Sequence, residues 1–95
     1  EKVSVSIGDI DYIDVYGHYL TYYVNNKTYT VRQTLSDAEN KLSNFGFFRI
    51  NKFNIVNMRK ISKLLGDDVY IKDAVLKVSR SRKQEFKKEL VKNYV

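Results

Sequence analysis

Phe47-Phe48-Arg49-Ile50-Asn51-Lys52-Phe53-Asn54-Ile55-Val56-Asn57 changes twice between apolar and polar character within eleven residues. Phe47, Phe48 and Ile50 lead in and Ile55 and Val56 lead out, so both ends read as buried strand. Asn51, Lys52 and Asn54 carry amide and ammonium groups that lose hydration on burial, so the middle reads as a surface loop. A loop fixed at both ends by packing and open at its tip is well placed to carry recognition groups. An ordinary polar connection between two strands would read the same way from these residues alone.

The surrounding composition supports strands. With 95 residues, 43% hydrophobic content, Tyr 8, Phe 5, Gly 4 and Pro 0, the chain reads as one β-rich domain with neither repeats nor disorder. Cys 0 removes a disulfide framework, a thiolate zinc site and a cysteine nucleophile, and suits a reducing cytoplasm. No apolar run is long enough to span a bilayer, and no secretory signal is recognisable. The start Glu1-Lys2-Val3, without methionine, suggests a segment of a longer protein, although processing or a tag scar would look the same.

The net charge of +6 is unevenly spread. Residues 1–48 carry four basic against six acidic side chains, and the remainder carries thirteen against five. Arg49, Lys52, Arg59, Lys60 and Lys63 form an acid-free run, and Lys77, Arg80, Arg82 and Lys83 form a second. Such concentration favours polyanions, with nucleic acid or an anionic membrane face as the candidates beside a merely solvated basic surface.

Working outward, Val3, Val5 and Ile7 alternate with serine and predict a half-buried strand ending at Gly8. Ile10 to Tyr16 predicts a second, in which Ile10 and Tyr12 are out of phase with Ile13 and Val15, as a bulge or two-sided burial would produce. Asp9, Asp11 and Asp14 lack the glycine and terminal glutamate of a calcium loop, so no metal is assigned to them. Gly17-His18 makes a turn, Tyr19 to Val24 a strand, Asn25-Asn26 a primed hairpin turn, and Lys27 to Val31 the return strand. The single histidine lacks partners for zinc or a catalytic triad and reads as a loop donor or acceptor alongside Tyr19. Thr34 to Gly46 predicts a helix with Leu35, Ala38, Leu42 and Phe45 on one face. Either Thr34 with Asp37 or Ser36 with Glu39 supplies a capping box, and Gly46 ends it.

Beyond the opening stretch, residues 58–65 lead to a Gly66-Asp67 turn and a hairpin, Val69 to Ile71 and Ala74 to Val78, turning at Lys72-Asp73. Arg59, Lys60 and Lys63 in this region would also protect an edge strand from pairing with other chains. Ser81 and Gln84 then have capping-box spacing for a second helix, and Phe86, Leu90 and Tyr94 form its docking stripe. Arg80, Arg82 and Lys83 crowd the positive end of this helix dipole, at a cost of about 0.3–1 kcal/mol each. A phosphate at that position would reward both the side chains and the free backbone N–H groups, unless overall stability simply tolerates the penalty.

Three segments together resemble the LytTR (LytR/AlgR-type) DNA-binding domain of bacterial response regulators. They are Asp9-Ile10-Asp11-Tyr12-Ile13-Asp14 with its tyrosine-rich hairpin, Phe47-Phe48-Arg49-Ile50 leading to Ile55-Val56-Asn57 and Ile61, and Val78-Ser79-Arg80 before a basic helix. Where the family has His-Arg-Ser, this chain has Asn51-Lys52-Phe53, which keeps donors but replaces a bidentate guanidinium with a point charge. The resemblance implies a mainly β fold, a sandwich of short antiparallel sheets with one small internal helix and a C-terminal helix. It also implies double-stranded DNA as partner, read by loops in successive major grooves. Matching positions are His18 and Tyr19, then Asn51, Lys52 and Asn54, then Arg80 and Arg82. It further implies two copies on direct repeats, a receiver domain elsewhere in the protein, and a cytoplasmic location.

The leading expectation is therefore sequence-specific duplex binding. His18, Asn51 and Lys52 reach base edges, and Lys60, Arg80, Arg82 and Lys83 contact phosphates. No cofactor and no catalysis are expected. The rivals are a single-strand or RNA-binding module that stacks bases on tyrosine, a carboxylate-metal nuclease built on Asp9, Asp11 and Asp14, and a protein- or membrane-binding surface.

Overall fold

A computed structural model describes residues 2–93. Its strands are β1 (Ile10–Tyr16), β2 (Tyr19–Val24), β3 (Lys27–Arg32), β4 (Phe47–Arg49), β5 (Asn54–Asn57), β6 (Lys63–Leu65), β7 (Asp68–Ile71) and β8 (Ala74–Lys77). Helix α1 (Leu35–Leu42) follows β3, and α2 (Lys83–Asn93) ends the described chain. The strands form a five-stranded sheet in the order β3-β2-β1-β5-β4 and a three-stranded sheet in the order β6-β7-β8, with every pairing antiparallel.

The consecutive apolar pairs in the opening stretch arise because β4 and β5 are buried on both faces. Phe47 and Ile55 join the core beneath α1, with Ile13, Leu20, Leu35 and Ala38. Phe48 and Val56 point the other way, into a second core shared with Val69 and Ile71 of the small sheet and Phe86 of α2. A register shift between Ile10 and Tyr12 is the bulge that the broken alternation required, and it sends Ile10 to the first core and Tyr12 to the second. Asn25 and Asn26, at φ 49° and 68°, form the primed turn that lets β2 and β3 pair in register. Thr34 Oγ1 accepts the Asp37 N–H at 3.1 Å and caps α1.

Three local expectations are corrected. Residues 3–7 form no strand: Val3, Val5 and Ile7 are exposed, and Ile7–Asp9 is a 3-10 turn. Alternation specifies a strand only where a partner edge is available, and among the described residues no strand pairs with residues 3–7, whose Val3 and Val5 lie beside Tyr22 and Tyr29. Phe45 is 51% exposed instead of packed, because the chain tightens into a 3-10 turn at Ser43–Phe45, which rotates it off the helix stripe before Gly46 turns at φ 85°. Ser81 does not cap α2, since it lies inside a 3-10 turn, Arg80–Arg82, that precedes the helix. Phe86 is buried and Leu90 packs beside it, whereas Tyr94 of the predicted stripe lies outside the described residues.

Candidate nucleic-acid interface

All three polar segments singled out in the sequence lie at one end of the large sheet. The β1–β2 turn stands there because Tyr16 pairs with Tyr19 around Gly17 and His18, and Gln33 N–H ties β3 to the His18 carbonyl at 3.3 Å. Asp14 lies opposite Asn54, so the loop 51–53 emerges beside that turn, and Val15 N–H donates to Phe53 O at 3.1 Å. The third segment is joined to the second by Ser79 N–H donating to Ile50 O at 2.9 Å and Arg82 Nε donating to Arg49 O at 3.0 Å.

Two adjoining hollows result. One, of ≈ 560 Å³, is lined by His18, Arg32, Thr34, Asp37, Arg49 and Lys52 among others. The other, of ≈ 320 Å³, is lined by Glu39, Arg49, Asn51, Lys52, Ser79, Ser81 and Arg82. Arg49 and Lys52 belong to both and form the shared wall. Cationic side chains outnumber the two carboxylates, so the surface favours a polyanion over a neutral ligand.

The predicted residues divide sharply by what holds them. Lys52 and His18 are exposed, and no hydrogen bond or ion pair engages either side chain among the described residues. Arg80 is also exposed. Tyr19 is 48% exposed, with the Arg32 guanidinium 5.9 Å from its ring centroid. Asn51 is occupied within the fold: its Nδ2 donates to Lys77 O at 2.6 Å and to Asn54 Oδ1 at 3.2 Å, and its Oδ1 accepts Phe53 N–H at 2.7 Å. Asn54 in turn donates to Ile13 O at 3.4 Å. The two amides therefore set the shape of the loop that displays Lys52.

The dipole argument for α2 finds a different reward at two of its three cations. Arg82 is half-buried, and beyond its hydrogen bond to Arg49 O its guanidinium lies 4.5 Å from the Phe48 ring centroid. Lys83 Nζ pairs with Asp67 at 2.9 Å, and this contact holds the Asp67 carboxyl below its ordinary range. Lys60 is not at the tips at all. Its ammonium lies 3.9 Å from Asp11, and Lys72 approaches the same buried carboxylate at 2.9 Å. With a rise of about 3.3 Å per residue, Asp11 and Gly17 stand about 20 Å apart along β1. Asp14 accepts the Tyr23 hydroxyl at 2.8 Å, so the two aspartates of β1, Asp11 and Asp14, face different partners.

Arg49 is the residue the sequence reading counted as charge and left out of the site. Its Nε and Nη2 donate to Asn51 O at 3.4 Å and Lys52 O at 3.3 Å, while Nη1 is 3.7 Å from Glu39. Its position at the mouth of the loop, first in the acid-free run, was the available signal. Arg32 and Glu39 were not recoverable, since only the docking of β3 and α1 brings them to the groove.

Among the described residues, no helix is long and apolar enough to cross a membrane. A solved structure from Bacillus cereus, described as the LytTr DNA-binding domain of a response regulator, superposes with a TM-score of 0.84 at 21% identity, covering 93% of this chain and 86% of that one. No protein of curated function matches the chain in sequence. The model of the LytTr DNA-binding domain family matches residues 1–91, so the chain belongs to the LytTR family of DNA-binding domains.

Proposed function

We propose that this domain binds double-stranded DNA sequence-specifically as the output module of a bacterial response regulator. In this reading a receiver domain elsewhere in the full-length protein controls occupancy, and two copies occupy direct repeats in cytoplasmic DNA. The observation that carries it is the shared wall of Arg49 and Lys52, which makes the His18 hollow and the Ser79–Arg82 hollow one continuous basic surface. Lys52 and His18 reach base edges in the major groove, and Arg80, with Arg32 and the outer nitrogens of Arg82, meets phosphates. Asn51, Asn54 and Arg49 act one step back, fixing the loop from which Lys52 extends.

The single-strand alternative has fewer groups to work with. Tyr12 and Tyr23 stack on each other with centroids 4.1 Å apart, and Tyr22 and Tyr29 pack against the first core, so four rings are already engaged. Titration of labelled duplex and single strands, after selection from a random pool, tests the proposal. Duplex is expected to bind tighter, and Lys52→Ala to lose about 1–3 kcal/mol of discrimination between selected and scrambled sites. Equal losses on both duplexes would reduce Lys52 to a phosphate contact, and a preference for single strands would overturn duplex recognition.

A further inference from the structure

Phe53 is 61% exposed at the tip of the 51–53 loop, immediately after the cation that lines both hollows. A bare ring on a mobile segment would have no directional meaning, but this one stands on main chain fixed on both sides. Its N–H donates to Asn51 Oδ1 at 2.7 Å and its carbonyl accepts from Val15 N–H at 3.1 Å. Packing does not account for the residue, because neither core includes it. The surface around it is cationic and its immediate neighbours, Lys52 and Asn54, are polar.

Taking duplex binding as proposed above, we infer that Phe53 is a specificity-determining residue that packs against the C5-methyl group of a thymine in the major groove, next to the base pair reached by Lys52. The thymine methyl is the one apolar feature that base edges present in that groove, and an aromatic ring is among the side chains that meet it. A hydrogen-bonding residue at this position would read a base through its polar edge. A ring reads it through the methyl, so the site gains a preference for an A·T pair of one orientation. Lys52 supplies attraction and Phe53 supplies an apolar contact that only forms when the loop is seated.

The test replaces each thymine of the selected duplex in turn by deoxyuridine, which removes the methyl and keeps the pairing, and measures binding of the 95-residue chain by fluorescence anisotropy. Removing one buried methyl should weaken wild-type binding about three- to five-fold at one thymine per bound copy. Phe53→Ser should abolish that sensitivity and Phe53→Leu should retain most of it. Binding that is indifferent to every deoxyuridine, or equally sensitive in Phe53→Ser, overturns the inference while leaving duplex recognition standing. A duplex kinked in fluorescence energy transfer but indifferent to deoxyuridine also overturns it, since the ring would then act as a wedge between base steps. Failure of the unmodified selected duplex to bind at all would instead remove the reading on which the inference rests.

Discussion

Replacing Asn51 with alanine separates two roles that the sequence could not tell apart. If Asn51 read a base, its loss would spare the fold and cost discrimination. The structure occupies its amide with three hydrogen bonds, to Lys77 O, Asn54 Oδ1 and Phe53 N–H, and leaves the side chain half-buried. A typical net contribution of about 0.5–1.5 kcal/mol per bond gives about 1.5–4.5 kcal/mol for the three. Water can reach part of this loop and replace some of what is lost, so about 2 kcal/mol is expected. For a domain of this size that corresponds to a fall in Tm of about 8–16 °C. Asn51→Asp should be worse than alanine near neutral pH, because it keeps the acceptor for Phe53 but turns a carboxylate toward two carbonyl oxygens. Protonating it at low pH returns one donor and part of the loss. Thermal and urea unfolding followed by tyrosine fluorescence, usable because the chain has Tyr 8 and Trp 0, gives the stability directly. Anisotropy on selected and scrambled duplexes gives discrimination. An Asn51→Ala domain with wild-type Tm and lost discrimination would refute the assignment of Asn51 to loop shape.

Three further outcomes follow from the same geometry. Arg82→Lys keeps the charge but loses the Nε bond to Arg49 O and the seat over Phe48, so it should lower stability by about 1–2 kcal/mol while leaving the salt dependence of DNA binding unchanged. A Tm equal to that of the wild type would show those contacts to be incidental. Glu39→Gln removes a carboxylate from the groove wall and should tighten binding to any duplex about two- to five-fold at low salt, fading as salt is raised; weaker binding would mean that the Glu39 contact is needed to hold Arg49. At high pH, burial, the hydrogen bond donated to Asp14 and the charge of that carboxylate push the Tyr23 hydroxyl up to about 12 from 10.0, and burial raises Tyr12 and Tyr22 as well. Groups raised on folding stabilise below their unfolded pKa, so stability should be level up to about pH 10 and fall from there toward pH 12. Tyrosinate absorbance rising for every ring together near pH 10, in folded protein, would contradict this.

Much of the fold was legible because its signals are local. The Asn-Asn turn, the Thr34 cap and the Gly46 stop each depend on one or two residues whose own backbone preferences decide the matter. Where the local signal misled, a distant group had intervened. Serine and valine at 3–7 alternate as a strand would, but among the described residues no strand edge pairs with them, and Val3 and Val5 lie beside Tyr22 and Tyr29 instead. The basic start of α2 looked like an unrewarded cost, yet Asp67 and the Phe48 ring, both remote in sequence, engage Lys83 and Arg82.

The candidate site shows the same division. Polarity and charge alone marked His18, Lys52 and Arg80 as surface groups suited to a polyanion, since hydration keeps such side chains out of a core whatever the fold. That the segments carrying them lie at one end of the large sheet, that Arg49 and Lys52 join two hollows, and that Asn51 and Arg82 hold the scaffold was decided only by tertiary structure. Side-chain period and turn chemistry are properties of neighbours along the chain. Which tips meet is set by strand order and by two cores packed on opposite faces of one sheet, contacts between residues tens of positions apart that no local pattern encodes.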